Sequence, residues 1–254
     1  MENYFSEREI EESCPFVKAQ VLEECASTNS LLKEKEEKEY FLLAARSQTS
    51  GRGRLQKSFL SPKGGLYFSL FLEPKTAPKD STLITAAAAV AAARAIEKVS
   101  QRQAKIKWVN DIYIEDKKVC GILTEGKIDA KTGALKGVVL GIGINAFKPE
   151  GGLPKEIKDI AESLFWGQEK KEIYLSLLTE FLWEFKGFYE NLSKKEYMKE
   201  YINRSYLTGK TITFFKEGKE FSGRVTGIDE NANLIVLSEE KEIKLFSSEV
   251  SVKL

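Results

Sequence analysis

Apolar and polar positions change rhythm several times along the chain, and each change marks an element. Ser27-Thr28-Asn29-Ser30 are short polar side chains of the kind that cap helix N-termini. They precede Leu31, Leu32 and a charged run to Glu39, which predicts a capped helix with a solvated outer face. The apolar run 41–45 predicts a buried strand, and residues 66–72, alternating aromatic and aliphatic, predict another. Residues 47–65, rich in Gly and Ser, form the loop between them. The alanine-rich residues 83–99 predict a helix whose small side chains pack closely on a sheet. β-like runs at 105–109 and 112–114, the polar turn Glu115-Asp116-Lys117 and a returning run at 119–123 predict a hairpin. Residues 137–144 predict a further strand ending at Asn145. Ile173, Leu177, Leu178, Phe181, Phe185 and Phe188 recur at helical spacing in 172–191, a stripe that faces a core.

After Asn203 the texture shifts to short β-like runs at 211–215, 221–228, 234–237, 243–246 and 250–252, separated by polar turns. Five strands in about 45 residues predict a small barrel. The boundary falls near 206–209, giving domains 1–206 and 207–254. The first twenty residues hold Pro15 and little apolar pattern, too few for a helix-turn-helix domain, so no DNA reader is expected there.

Composition narrows the function. Across 254 residues, 39 Lys+Arg against 38 Asp+Glu leave a net charge of +1, which argues against a strongly basic nucleic-acid binder. The 42% hydrophobic content supports a full core. The longest weakly polar run, 83–93, stops at Arg94, short of the roughly 20 residues a bilayer requires, so no membrane partner is expected. The N-terminus carries Glu2, Glu7, Glu9, Glu11 and Glu12 where a secretory signal needs a basic start and an apolar stretch, which predicts a cytoplasmic protein. Cys14, Cys25 and Cys120 are widely spaced with no CxxC, and read as free thiols. There is no histidine, which removes imidazole bases, Ser–His and Cys–His pairs and His-ligated metals together. Any chemistry must use Lys, Arg, carboxylates, amides or an oxygen-held metal.

One segment is unusual. The 33 residues between Glu39 and Glu73 contain Arg46, Arg52, Arg54, Lys57 and Lys63 and no acid, where the chain's average would place about five. Within it Gly51-Arg52-Gly53-Arg54 alternates residues that admit close backbone approach with guanidinium forks suited to phosphate or carboxylate. Taken alone, the same tetrad also fits an Arg-Gly RNA-binding tract or a solvated loop. Gly141-Ile142-Gly143-Ile144-Asn145 invites a dinucleotide-binding reading, but the third glycine is missing and Asn145 leads toward Pro149 rather than into a helix.

Taken in order, the Ser-Thr-Asn helix start, Gln48-x-x-Gly51-Arg52-Gly53-Arg54, Lys107-Trp108-Val109-Asn110-Asp111, Lys118-x-x-Gly121-Ile122-Leu123 and Gly141-x-Gly143-x-Asn145 are far more specific than any one of them. The chain resembles the biotin protein ligases from about residue 26 to its end, and specifically a monofunctional form without an N-terminal DNA-binding domain. The resemblance implies an α/β (α+β) fold, a mixed-sheet catalytic domain related to class II aminoacyl-tRNA synthetases followed by an SH3-like β-barrel. It implies an enzyme that uses ATP and Mg²⁺ to adenylate biotin and passes the biotinyl group to a lysine of a biotin carboxyl carrier protein, with no specific DNA partner; a homodimer stays open.

By the same resemblance Lys118 bridges the carboxylate and phosphoryl oxygens, with Arg54 as its catalytic companion. Ser27, Thr28, Asn29, Gln48, Gly51, Arg52, Lys118 and Gly121 fall on the biotin side. Arg52, Arg54, Lys107, Asn110, Asp111 and Asn145 fall on the ATP side. Ser27–Asn29 also read as a helix cap, and Asp111 as a support for either the metal or the hairpin. Trp108 and Cys120 read as core. The chain departs from the family after Arg54, where Leu55-Gln56-Lys57-Ser58-Phe59 replace the usual Gly, Arg and Trp, and at Val109, where proline is common. A lipoate or octanoate ligase, which shares the catalytic fold and the lysine, is the nearer alternative. An RNA-binding barrel is the other, and it sits poorly with seven cations and eight acids over residues 210–254.

Overall fold

The structure is a computed structural model that describes residues 4–73, 81–129, 131–216, 219–246 and 252–253. Two sheets organise it. The larger has seven strands in the order β1-β2-β3-β7-β6-β5-β4: β1 (Lys18–Cys25), β2 (Phe41–Gln48), β3 (Leu66–Leu72), β4 (Lys105–Lys107), β5 (Asp111–Ile114), β6 (Lys117–Ile128) and β7 (Leu135–Ile144). Only β1 and β2 run parallel; every other pairing is antiparallel, so the sheet is mixed.

Side chains alternate across these strands. Leu66, Phe68, Leu70 and Leu72 of β3, with Val138, Leu140, Ile142 and Ile144 of β7, enter the main core. That core is closed by α3 (Ser81–Ser100) and α4 (Lys171–Glu190). Ala86 to Ala89 and Ala91 to Ala93 of α3 are fully buried, the close approach that an alanine-rich helix permits. On α4 the expected stripe is buried at Leu177, Leu178, Phe181 and Phe185, while Ile173 and Phe188 lie at its margin. The opposite sheet face is covered only in part, by α2 (Thr28–Glu34), whose Leu32 packs with Leu43, Phe71 and Val139. α2 stops sooner than its charged sequence suggests. Lys35 is already extended, and its carbonyl accepts from Lys127 Nζ.

The N-terminal region holds two elements that the sequence pattern did not announce, α1 (Glu7–Ser13) and β1. Ser6 and Glu9 form a reciprocal capping box at the start of α1. Its Glu7 and Glu11 carboxylates accept from the outward-facing Val21 and Ala19 amides of β1, at 3.0 and 3.1 Å. Side chains thus occupy the hydrogen-bonding edge that a neighbouring strand would otherwise seek.

The smaller sheet is antiparallel, in the order β11-β10-β9-β8-β12: β8 (Thr211–Lys216), β9 (Lys219–Ile228), β10 (Leu234–Ser238), β11 (Lys241–Leu245) and β12 (Val252–Lys253). All five expected strands are present; Val250, the expected start of the last, lies outside the described residues. α5 (Met198–Asn203) leads into this sheet, and Ile106 of β4 bonds the chain on either side of Ser205 (Ile106 N to Arg204 O 2.8 Å, Tyr206 N to Ile106 O 2.9 Å). Trp108, read as core, is buried and donates from Nε1 to the Ala232 carbonyl at 2.8 Å, fastening the smaller sheet to the larger. The Trp108–Val109 peptide is cis. Among the described residues no helix is long and apolar enough to cross a membrane.

Candidate active site

The uncovered part of the large sheet is hollow because glycines stand where side chains would point outward. A Cβ on Gly141 would lie 2.1 Å from Asn29 Oδ1, and Cβ atoms on Gly121 and Gly143 would lie 2.8 and 2.5 Å from the Phe59 ring. The Gly-x-Gly pattern is therefore a strand floor, and its role is to make room. Above it a cleft of about 380 Å³ is lined by every expected site residue except Gly51. Gly51 sits inside the loop, where a Cβ would come within 2.3 Å of the Phe59 carbonyl oxygen.

One end of the cleft is a polar pocket. Ser27 caps α2, accepting from Ser30 N at 3.4 Å, so the capping role is real and places Thr28 and Asn29 at the sheet. Gln48 Oε1 accepts from Thr28 N (2.9 Å) and Thr28 Oγ1 (3.2 Å), and its Nε2 donates to Ser61 Oγ (2.8 Å). Ser69 Oγ lies 2.7 Å from Thr28 Oγ1 and 2.6 Å from Asn29 Oδ1. All of these hydroxyls and amides stand at fixed angles, which suits a ligand with several hydrogen-bonding groups.

The other end is cationic. Lys118 Nζ lies 2.7 Å from Asp111 Oδ1 and over the Phe59 ring at 5.5 Å. Its backbone is gripped from outside the sheet, N to Ile160 O (2.9 Å) and O from Glu162 N (3.0 Å). Asn145 Nδ2 reaches the carbonyls of Lys118 (3.4 Å) and Glu162 (3.2 Å), so it braces the same point. Asn110 spans β6 and the loop: Nδ2 donates to Ile122 O (2.7 Å) and Oδ1 accepts from Arg54 Nη1 (3.3 Å). Burial lowers the pKa values of both Arg54 and Lys107, the usual penalty on a cation drawn from water, and Asp111 partly offsets it. Such a site gains from a bound anion.

The loop itself folds back as an irregular hairpin, with Gln48 N to Ser61 O, Phe59 N to Gly51 O and Gly53 N to Lys57 O at 2.7–2.9 Å. Leu55 and Gln56 adopt φ of 54° and 59°. That left-handed backbone costs a side-chain-bearing residue about 1 kcal/mol. Of the five cations in the acid-free segment, Arg52, Arg54 and Lys57 line the cleft. Arg46 and Lys63 instead pair with acids from other segments, Arg46 with Glu169 (3.3 Å) and Lys63 with Glu23 (2.8 Å), so the segment's charge serves the fold as well as the cleft.

Ser69 and Glu125, which brace the cleft residues Thr28 and Asn29, and the 157–161 segment, which lines the cleft, carry no motif in the sequence. Ser69 had a signal, a lone hydroxyl within the apolar Leu66–Leu72 strand. Ile157, Ile160 and Ala161 line the cleft from an irregular segment with no periodicity to read.

A mixed sheet with a polar pocket beside a cationic cleft defines a site suited to ligands that bring both hydrogen-bonding and anionic groups. Residues 21–145 match the model of the biotin/lipoate A/B protein ligase family. Biotin protein ligase from Aquifex aeolicus, solved with biotin and ATP, superposes with a TM-score of 0.79 at 31% identity, covering 92% of this chain and 98% of that one. The bifunctional ligase/repressor BirA of Bacillus subtilis is 32% identical over 215 residues, 83% of this chain, and that of Escherichia coli 27% over 206 residues. The chain spans 66% of the length of the Bacillus relative. The chain belongs to the biotin/lipoate A/B protein ligase family.

Proposed function

We propose that the chain is an ATP-dependent biotin protein ligase, which forms biotinyl-5′-AMP and pyrophosphate and then transfers biotin to a lysine of a biotin carboxyl carrier protein, such as that of acetyl-CoA carboxylase. The observation that carries this reading is the continuity of the cleft: the polar pocket of Thr28, Asn29 and Gln48, braced from beneath by the buried Ser69, opens directly onto Lys118, Arg54 and Lys107. A ureido ring offers donors and an acceptor to those groups, and the valeryl carboxylate then points at the cations. The near-neutral charge favours no sequence-specific DNA contact, and the site is suited to the cytoplasm, where ATP is available.

Amide formation in water runs uphill, so the carboxylate must first be activated on phosphorus. Its oxygen attacks the α-phosphate and pyrophosphate leaves. Lys118 bridges the carboxylate and phosphoryl oxygens, losing its contact to Asp111 as negative charge builds between them. Arg54 and Arg52 neutralise the phosphate, Lys107 faces the departing pyrophosphate, and Asn110 and Asn145 lie on the nucleoside side. The target lysine's amine then attacks the acyl carbon and AMP departs with the phosphate oxygen. Among the described residues no three Asp, Glu, Cys or His gather into a metal cage. Asp111 is a single carboxylate donor, which fits a Mg²⁺ ion carried on the nucleotide phosphates. That ion would supply charge neutralisation of the triphosphate. In this reading residues 207–254 are a second unit, a division supported by the change of sheet after Tyr206, and the Trp108–Ala232 hydrogen bond ties the smaller sheet to the loop after Lys107.

Lipoate is the less favoured substrate, since its dithiolane ring offers the polar pocket no hydrogen-bonding groups and would leave Asn29 and Gln48 facing apolar surface. With the purified protein and ATP, biotin is expected to stimulate pyrophosphate release and lipoate is not. Stimulation by lipoate or octanoate alone would overturn the assignment.

A further inference from the structure

Glu125, on β6, lies beside the cleft and offers its two carboxylate oxygens to different partners. Oε2 accepts from Asn29 Nδ2 at 3.0 Å, and Asn29 lines the polar pocket. Oε1 meets Arg52 Nη2 at 3.2 Å and Lys33 Nζ at 3.3 Å. Its side chain is 17% exposed, so these contacts are only partly screened by water. Arg52 also donates from Nη1 to Ser30 Oγ at 3.3 Å, which parks its guanidinium against α2 and β6.

We propose that Glu125 is a positioning residue that orients Asn29 for the biotin ring and holds Arg52, with the loop that carries it, in the resting position from which the nucleotide recruits it. The proposal rests on the ligase reading of the site and deepens it. The Glu125 carboxylate, with the more distant Leu123 carbonyl at 3.4 Å, only accepts hydrogen bonds, so it turns the Asn29 NH₂ toward β6. Oδ1 is then directed to Ser69 and across Gly141, where a side chain would collide with it. For Arg52 the same carboxylate is a competitor. To meet a phosphate, Arg52 must exchange Glu125 for the incoming anion, and that exchange would leave a partly buried carboxylate uncompensated were it not for Lys33. Lys33, on the last turn of α2, stays behind and neutralises Glu125 when Arg52 departs. Lys33 therefore weakens the hold on Arg52, and Glu125 strengthens it.

Opposite roles give opposite signs, which a general loss of structure would not. In the ligand-free protein, hydrogen–deuterium exchange of the amides at 50–58 should speed up severalfold in Glu125→Gln, which keeps an acceptor for Asn29 but drops the charge. It should slow in Lys33→Met, where Arg52 has Glu125 to itself. By calorimetry biotin affinity should stay within about threefold in Glu125→Gln and fall about tenfold in Glu125→Ala, the scale of losing one hydrogen bond to a charged group. Shifts of the same sign in Glu125→Gln and Lys33→Met, or none, would overturn the hold on Arg52. Unchanged biotin affinity in Glu125→Ala would overturn the orientation of Asn29. If the unsubstituted protein bound no biotin, the ligase reading would fall, while the exchange comparison would still judge the hold on Arg52.

Discussion

Replacing Lys118 with alanine is expected to lower single-turnover formation of the adenylate by two or more decades. The side chain is preorganised by structure that does not depend on ligand. Its backbone N and O are held by Ile160 and Glu162, Asn145 braces its carbonyl, and its ammonium is fixed between Asp111 and the Phe59 ring. With the backbone fixed, the ammonium has only to exchange Asp111 for the developing charge, and removing one such group typically costs about 3 kcal/mol in the transition state. The substitution also leaves the Asp111 carboxylate facing the reacting anions without its counter-ion, which adds repulsion. Biotin affinity should change far less, because the polar pocket is made by α2 and Gln48, with Ser69 buried beneath them. Rapid-quench measurement of adenylate and equilibrium binding of biotin separate the two effects. A near-normal rate would remove Lys118 from the chemical step.

Replacing Arg54 with glycine is expected to speed adenylate dissociation by about one to two decades, the loss of a charge-assisted hydrogen bond in a partly dry site. Arg54 is already drawn from water and held to Asn110, and burial depresses its pKa, so it favours an anion beside it. The loop should keep its hairpin, since Gln48–Ser61, Gly51–Phe59 and Gly53–Lys57 are bridged by backbone groups. A mixed anhydride that escapes acylates any accessible amine, so the variant should label added bystander proteins that the parent leaves unmodified. The left-handed Leu55 and Gln56 add strain to the same loop and should make the parent's own retention imperfect. Unchanged dissociation together with unchanged bystander labelling would remove Arg54 from retention.

What the sequence made legible was local. The alternation of residues 66–72, the alanine run of α3 and the stripe of α4 each express a single periodicity, and each appears as an element close to its expected bounds. The motif residues carried the site because close-packed glycine floors, caps and charge pairs demand particular residue types at particular spacings. Pairings between distant segments were not legible. Glu125 contacts Arg52 across more than seventy residues, and Ile160 and Glu162 reach back to Lys118; no periodicity encodes either. β1 was hidden for a related reason: it is an edge strand, half-exposed and rich in charge, and its edge is satisfied by glutamates of α1 rather than by a strand. Charge counting misled in part, since Arg46 and Lys63 contribute to the acid-free segment's excess and yet serve ion pairs elsewhere.

A two-step transfer requires an adenylate that the enzyme holds between the steps. The most direct measurement mixes the protein with biotin and ATP, removes free ligand rapidly, and examines the retained complex by native mass spectrometry before and after a biotin carrier domain is added. Biotinyl-AMP is expected bound at one equivalent, followed by its disappearance with stoichiometric gain of one biotinyl group on a single carrier lysine. Failure to form the adenylate with biotin, or an adenylate that never passes to the carrier, would contradict the two-step transfer.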